Sequence, residues 1–562
     1  MWIEQNIKKL GEIFKKSYYG YIQKITIFLT IIIVSLFCFP YPVQYLKAEE
    51  VKLAADMFGF DNPFDTKDYD FSNPDDVAKM NEMIGWIRDE LGIKLVSDTV
   101  FTMRFTDSGA NYYKHVWNLI DLYVVNNDLE FFLIQPPRMF DEKFCLAGDI
   151  DYENHKLLTT DGEVNCVPKT PQTIVRYSSY INGLIEKIVT NYPNKKDKIK
   201  YIMVFNEPNF DFLIGNCGKF NTECYWYMPI VEMQEILYKA VKEKGLNAKV
   251  VLGGPSSEGP LAIYDGILQN LQGRCSGTGC FDYMDYHAYF WPGKDTRKGY
   301  RSISVQINAE GDQAQRTYQT IRDLLNKYGF GDKPILIQQS GGTQGRLKSN
   351  SIFISEEEQA SILFKHKIYQ AAKGIGPTLW SSMIDLGCYN ETIHSIFAIM
   401  GFVFDGIPQP DQLNCLESGC DGQLPCPDPG WGKRKLSFFT YKKISQMLKE
   451  INLSTIQTIK EDRNIFQYKV TKSDGKPLYF AWWDWFEVFG WKTEYQGTKS
   501  ITLNVPLIST PKARITETVA NFDTGINITD FDNAFKTYEV PVVNGKITLK
   551  IGRKPIYIEE GL

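Results

Sequence analysis

The sequence predicts an α/β protein, a (β/α)8 TIM barrel followed by a C-terminal β-sandwich domain. Three observations lead there. Eight short apolar runs read as strands, each separated from the next by a helix-spaced or crossover-length segment, which is the alternation of a parallel sheet. Several of these runs end in polar residues, as barrel strands do at the rim where such folds keep their chemistry. After Cys426 the pattern changes to alternating segments with no helices between them, the mark of an antiparallel module.

With 562 residues the chain is long enough for both cores. Its 62 Lys and Arg are well mixed among 67 Asp and Glu, for a net charge of −5, so no basic face for nucleic acid is implied. Residues 1–48 read as targeting. Lys8, Lys9, Lys15, Lys16 and Lys24 precede the uncharged run Ile25 to Phe39, and Pro40 and Pro42 follow it. The segment predicts export, by a cleaved signal peptide or by an uncleaved anchor over 25–46. The barrel is expected over 49–445 and the sandwich over 446–562. Oligomeric state is not legible.

In chain order, Val51 to Phe60 reads as strand one, and Val77, Met80, Ile84, Ile87 and Leu91 as a helix stopped by Gly92. Ile93 to Phe105 contains strand two, with Arg104 near its end either facing a site or lying on the surface. A helix from Tyr112 to Asn126 precedes strand three, Leu129 to Ile134, and the helix marked by Ile174 to Ile188 leads to strand four at Tyr201. Helix spacing returns at Ile230 to Val241 before strand five, Lys249 to Leu252. Strand six spans Phe281 to Tyr289, where period two puts Asp285, His287 and Tyr289 on one face. Strand seven is Pro334 to Gln339. Ser355 and Glu358 form a capping box for the next helix, and Pro377 to Ile384 is strand eight. Beyond a helix at Leu436 to Leu448, strands are expected at Ile465 to Val470, Leu478 to Trp485, Ile501 to Val505, Val542 to Ile551 with Asn544-Gly545 as its turn, and Pro555 to Glu560.

Cysteine usage agrees with export. Ten cysteines follow Cys38, and three short-range couples lie in polar loops: Cys145 with Cys166, Cys217 with Cys224, and Cys275 with Cys280. Cys388, Cys415, Cys420 and Cys426 form a further cluster. A zinc site is its alternative, although it lacks C-x2-C spacing and a nearby His. With five His in the chain and only His287 on a strand end, a metal-dependent barrel has little support, and no cofactor is implied.

The stretch Tyr201 to Phe210, YIMVFNEPNF, is the one the barrel is organised around. Its apolar run emerges into Asn206, Glu207 and Pro208. Asn-Glu-Pro-Asn at a strand end resembles the acid/base strand of clan A glycoside hydrolases, and together with Leu252-Gly253-Gly254-Pro255-Ser256 it most resembles family 39, the β-xylosidase and iduronidase group. The resemblance implies a glycan substrate, Glu207 as proton donor and Asn206 as the partner of the sugar's 2-hydroxyl. It also implies that His287 and Tyr289 line the site and that Trp380 floors the subsite of the cleaved sugar; Asp285, on the same strand face, and Arg104, near the end of strand two, are expected to line the site with them. One departure stands out. Where these enzymes carry a nucleophilic Glu at the end of strand seven, this sequence reads Ile337-Gln338-Gln339-Ser340-Gly341. Gln339 takes the nucleophile's place, and an amide is a far poorer nucleophile than a carboxylate. The expectation is therefore an exported glycosidase or its silent, glycan-binding relative. In the first, another carboxylate substitutes, or Gln339 orients a water with Asp285 or Asp385 as base.

Overall fold

The computed structural model describes residues 53–64, 69–99, 110–134, 171–206, 227–255, 262–290, 318–342, 345–346, 353–385, 400–406, 429–461, 465–483, 498–552 and 554–561. Residues 1–48, read above as targeting, and Arg104, Glu207 and every cysteine except Cys275 and Cys280 lie outside them. Among the described residues no helix is long and apolar enough to cross a membrane.

Eight parallel strands form one sheet: β1 (Phe58–Asp61), β2 (Leu95–Thr99), β3 (Glu130–Ile134), β4 (Ile199–Met203), β5 (Lys249–Leu252), β6 (Tyr283–Asp285), β7 (Ile335–Leu336) and β8 (Thr378–Ser381). They neighbour one another in sequence order, and β8 returns to β1. The seam between β7 and β8 is held by the Ile337 amide on Pro377 O at 2.9 Å and the Leu379 amide on Ile337 O at 2.8 Å, which closes the barrel. The helices α1 (Pro74–Gly85), α2 (Ala110–Leu119), α3 (Pro171–Asn191), α4 (Tyr227–Glu243), α5 (Ala262–Leu271), α6 (Tyr318–Lys327) and α7 (Glu356–Ala372) come between successive strands. Such strands are covered on both faces, which explains why they read as continuous apolar runs. Leu95, Phe132, Ile134, Met203, Val251, Leu336 and Leu379 fill the barrel interior. Gly59 shares that face of β1, where an added Cβ would lie 2.6 Å from Leu95 O, so only glycine fits.

Two strands differ from their sequence reading. The expected strand from Val51 begins instead with a helical turn, Ala54–Met57, because a short apolar run carries no period that separates the two states. The expected Phe281 to Tyr289 strand breaks at Tyr286 and His287. Its second half, Ala288–Phe290, pairs in parallel with Ser340–Gly342 and prolongs β6 and β7 beyond the barrel.

The second module is antiparallel. Strands β9 (Gln457–Glu461), β10 (Ile465–Thr471), β11 (Pro477–Trp483), β12 (Lys499–Asn504), β13 (Lys512–Glu517), β14 (Thr537–Pro541), β15 (Lys546–Ile551) and β16 (Ile556–Glu560) make two sheets. The larger runs β9-β10-β11-β16-β13-β14, and β12 pairs with β15. Ile501, Leu503, Leu549 and Ile551 meet Tyr479, Ala481 and Ile558 between the sheets. The other face of the larger sheet packs on the barrel through α7, with Phe364 against Phe480 at 6.0 Å and Tyr369 against Phe466 at 6.2 Å. β11 is consequently buried along its whole length. The predicted turn is present, with Asn544 and Gly545 both at positive φ (51° and 68°). So is the capping box: Ser355 Oγ accepts the Glu358 amide at 3.2 Å, and Glu358 Oε2 accepts the Ser355 amide at 3.1 Å. Helix α8 (Leu436–Leu448) lies where its periodicity places it.

Candidate active site

The strand register assembles a polar layer at the C-terminal end of the barrel. Asp61 closes β1 and stands in register with Ser97 on β2 and Ser381 on β8. Ser97 Oγ donates to Asp61 Oδ1 at 2.6 Å and Ser381 Oγ to Asp61 Oδ2 at 2.7 Å. Gln338, two residues beyond the interior Leu336, donates its Nε2 to Asp61 Oδ1 as well. All four residues are buried. Burial pushes the Asp61 carboxyl up to about 7, against the opposing pull of the two hydroxyls and of His287, while Asp285 adds to the rise. Gln338 Oε1, also buried, has no hydrogen-bond partner among the described residues.

A second carboxyl lies across the mouth. Asp285 Oδ1 accepts the amides of Tyr286 at 2.7 Å and Gln338 at 2.8 Å, and Oδ2 accepts the Gly254 amide at 3.2 Å and faces His287 Nε2 at 3.0 Å. Four partners occupy the lone-pair positions a carboxylate has. Gly254 is required here, because an added Cβ would meet Asp285 Oδ2 at 2.8 Å. Asp385 is held differently, by buried Lys435 at 2.6 Å and the Gly401 amide at 2.9 Å. Asp285 therefore has no lone pair to spare for a water.

Asp285 and His287 thus share a face and touch, and Tyr289 lies on the Ala288–Phe290 strand opposite Gly341. Asn206 stands three residues past the end of β4, buried, its Oδ1 without a partner among the described residues. Gln339 is buried where strand seven leaves the barrel, and its carbonyl accepts the Ala288 amide at 3.0 Å. Trp380 requires a correction. Leu379 points inward, so its neighbour points outward. The indole is fully buried in the layer between barrel and helices, 5.6 Å from Phe402, with Nε1 donating to Met400 O at 3.1 Å. It offers no face to a sugar, and Ser381 holds the inward position.

The polar layer of Asp61, Ser97, Gln338 and Ser381 was not singled out from the sequence. Period two, counted from the interior Leu95, Leu336 and Leu379, arrives at Ser97, Gln338 and Ser381 and could have found it.

No protein family matches the sequence, and no curated protein matches it. Solved structures do match the fold. One is a family 39 glycoside hydrolase from the gut symbiont Bacteroides cellulosilyticus WH2, at 14% identity and a TM-score of 0.52, covering 90% of this chain and 81% of that one. Another is the bacterial orthologue of human α-L-iduronidase, at 11% identity and a TM-score of 0.50, with coverage of 90% and 81%. The barrel has the fold of these glycoside hydrolases. Within that glycoside hydrolase fold the strand ends of β1, β2, β4, β6, β7 and β8 are the ones the described polar residues occupy.

Proposed function

We propose that the chain is an exported glycoside hydrolase acting on a polysaccharide or glycoconjugate, with Glu207 as general acid/base. The observation that carries this reading is Asn206, a buried amide whose oxygen has no partner among the described residues, one residue before Glu207 in sequence, at the strand-four end of a glycoside hydrolase fold. A buried polar atom without a partner costs about 1–3 kcal/mol, a cost that a sugar hydroxyl in the mouth would offset. In this reading Glu207 protonates the leaving oxygen, Asn206 bonds the neighbouring hydroxyl, and His287 and Tyr289 border the sugar with Arg104. Asp285 is a positioning residue that fixes His287 and the Gln338 backbone. The Cys275–Cys280 disulfide agrees with an oxidising compartment. Residues 1–48 are assigned to export, 49–445 to the barrel and 446–562 to a supporting sandwich.

A second reading has its own support. The strand-seven end supplies amides, Gln338 and Gln339, the lone pairs of Asp285 are taken, and Asp385 is tied to Lys435. A barrel that binds glycan without cutting it needs no nucleophile. Reducing-sugar release from a polysaccharide panel, compared between the native protein and Glu207→Gln, separates the two. Release lost in the variant supports the hydrolase. Binding without release by either protein, with turnover appearing in Gln339→Glu, supports the silent binder.

A further inference from the structure

We propose that Asp61 is a proton store beneath the barrel mouth, and that the side-chain amide of Gln338 turns over when the carboxyl gains or loses its proton. Every side chain that holds Asp61 can reverse its role. Ser97 and Ser381 donate through rotatable O–H groups that can equally accept, and Gln338 carries a donor at one end of its amide and an acceptor at the other. With Asp61 ionised, Gln338 Nε2 donates to Oδ1 and Oε1 has no partner among the described residues. With Asp61 protonated, its O–H donates to Gln338 Oε1, and the amino group takes the unpaired end. The proton comes from and returns to solvent water, and no covalent bond changes.

The contrast with Asp285 makes the assignment specific. Three of the four groups on Asp285 are backbone amides, which can only donate and cannot turn. The charged or titratable groups that act on Asp61 are His287, which favours its ionised form, and Asp285, which opposes it. Tyr123, whose hydroxyl bonds Asp98 at 3.0 Å, is also within electrostatic reach. Burial outweighs these influences and brings the carboxyl to about 7, where both forms are populated. The end of the strand-seven amide without a partner is then a carbonyl at alkaline pH and an amino group at acid pH. None of this rests on sugar turnover.

The test uses the full chain without sugar. Infrared difference spectra between pH 5 and 9 are expected to show a buried protonated-carboxyl band lost with a midpoint near 7. Asp61→Asn should lack it. Ser97→Ala and Ser381→Ala each remove a donor to the carboxylate and should raise the midpoint by about one unit, a tenfold change in the acid constant. These two carry the test should Asp61→Asn fail to fold. Selective 15N-glutamine labelling should show the Gln338 side-chain signal moving with the same midpoint. Absence of the band in the native protein, its persistence in Asp61→Asn, unmoved midpoints in both serine variants, or a Gln338 signal that ignores pH while the band titrates would each overturn the proposal.

Discussion

Asp61 and Glu356 are both buried carboxyls held by three hydrogen bonds, yet the two are built for different ends. Glu356, at the start of α7, joins the barrel to the sandwich: its Oε2 accepts the backbone amides of Leu436 at 2.8 Å and Gly525 at 2.9 Å, and its Oε1 accepts Thr524 Oγ1 at 2.7 Å. Two of those donors are main chain and cannot be reversed. Asp61 is held by two hydroxyls and an amide, all of which can be reversed. The interface carboxyl is held mainly by donors that cannot turn, and the one at the mouth only by donors that can. Fixed donors mark structure, and rotatable ones mark a site that responds.

The largest effect is expected where the donors are fixed. Glu356→Ala strands the amides of Leu436 and Gly525, the first of which opens α8, and should cost about 4 kcal/mol at neutral pH. Urea unfolding measures it. A loss under about 1 kcal/mol would mean that the interface does not depend on this carboxylate, and the contrast with Asp61 would fail.

At Asp61 the effect should depend on pH. The folded carboxyl sits near 7, above the unfolded value of about 3.9, so the folded state holds the extra proton between those values and stability falls as pH rises through that window. Above pH 7 the penalty is fully present. Asp61→Asn removes it, and should raise stability by about 3 kcal/mol at pH 8 while changing it little at pH 4. Unfolding curves at the two pH values check this. Equal shifts at both would place the gain in packing rather than in ionisation.

Much of this architecture was legible and some was not, for reasons particular residues make plain. Lys249 to Leu252 matches its strand end to end, because Gly253 and Gly254 punctuate it. β9 was missed because all its residues are exposed, so no buried face leaves a period to read. β13 and β14 carry only two alternating apolar residues each, Ala513 with Ile515 and Tyr538 with Val540, too short a period to stand out. Conversely β11 reads clearly because it is covered on both faces, by its own sandwich and by the barrel. At the site, Asp285 and His287 are two residues apart and period two finds them. Asp61 meets Ser381 across 320 residues, a contact that exists only once the barrel closes. Trp380 was misread by one position, a shift that moves a side chain to the opposite face of a strand.

Lys367 extends the comparison with the opposite sign. Fully buried on α7, its Nζ donates to Thr378 O at 2.7 Å and Thr378 Oγ1 at 3.0 Å. The Phe58 and Tyr441 rings beneath it favour a charged ammonium, but burial outweighs them and holds its pKa well below the ordinary lysine value. The unfolded chain then binds the extra proton, so stability rises with pH from the folded value up toward about 10.4. Lys367→Met should flatten that rise and, with both lysine bonds to Thr378 lost, change stability at pH 7 by no more than about 2 kcal/mol. An unchanged slope would return the pH dependence to other groups.

The smallest effect tests which side of strand eight would face the proposed glycan. Trp380→Phe removes the hydrogen bond to Met400 O and part of a ring packed on Phe402, and should cost about 1–2 kcal/mol. Because the indole lies between the barrel and its helices, glycan affinity should stay within about twofold of native. Ser381 faces inward, so Ser381→Ala should alter the pH dependence of binding while leaving stability nearly intact at acid pH, where Asp61 keeps its proton. Affinity measured by calorimetry for both variants decides the matter. A large loss in Trp380→Phe with none in Ser381→Ala would turn strand eight around and move the glycan to the aromatic side.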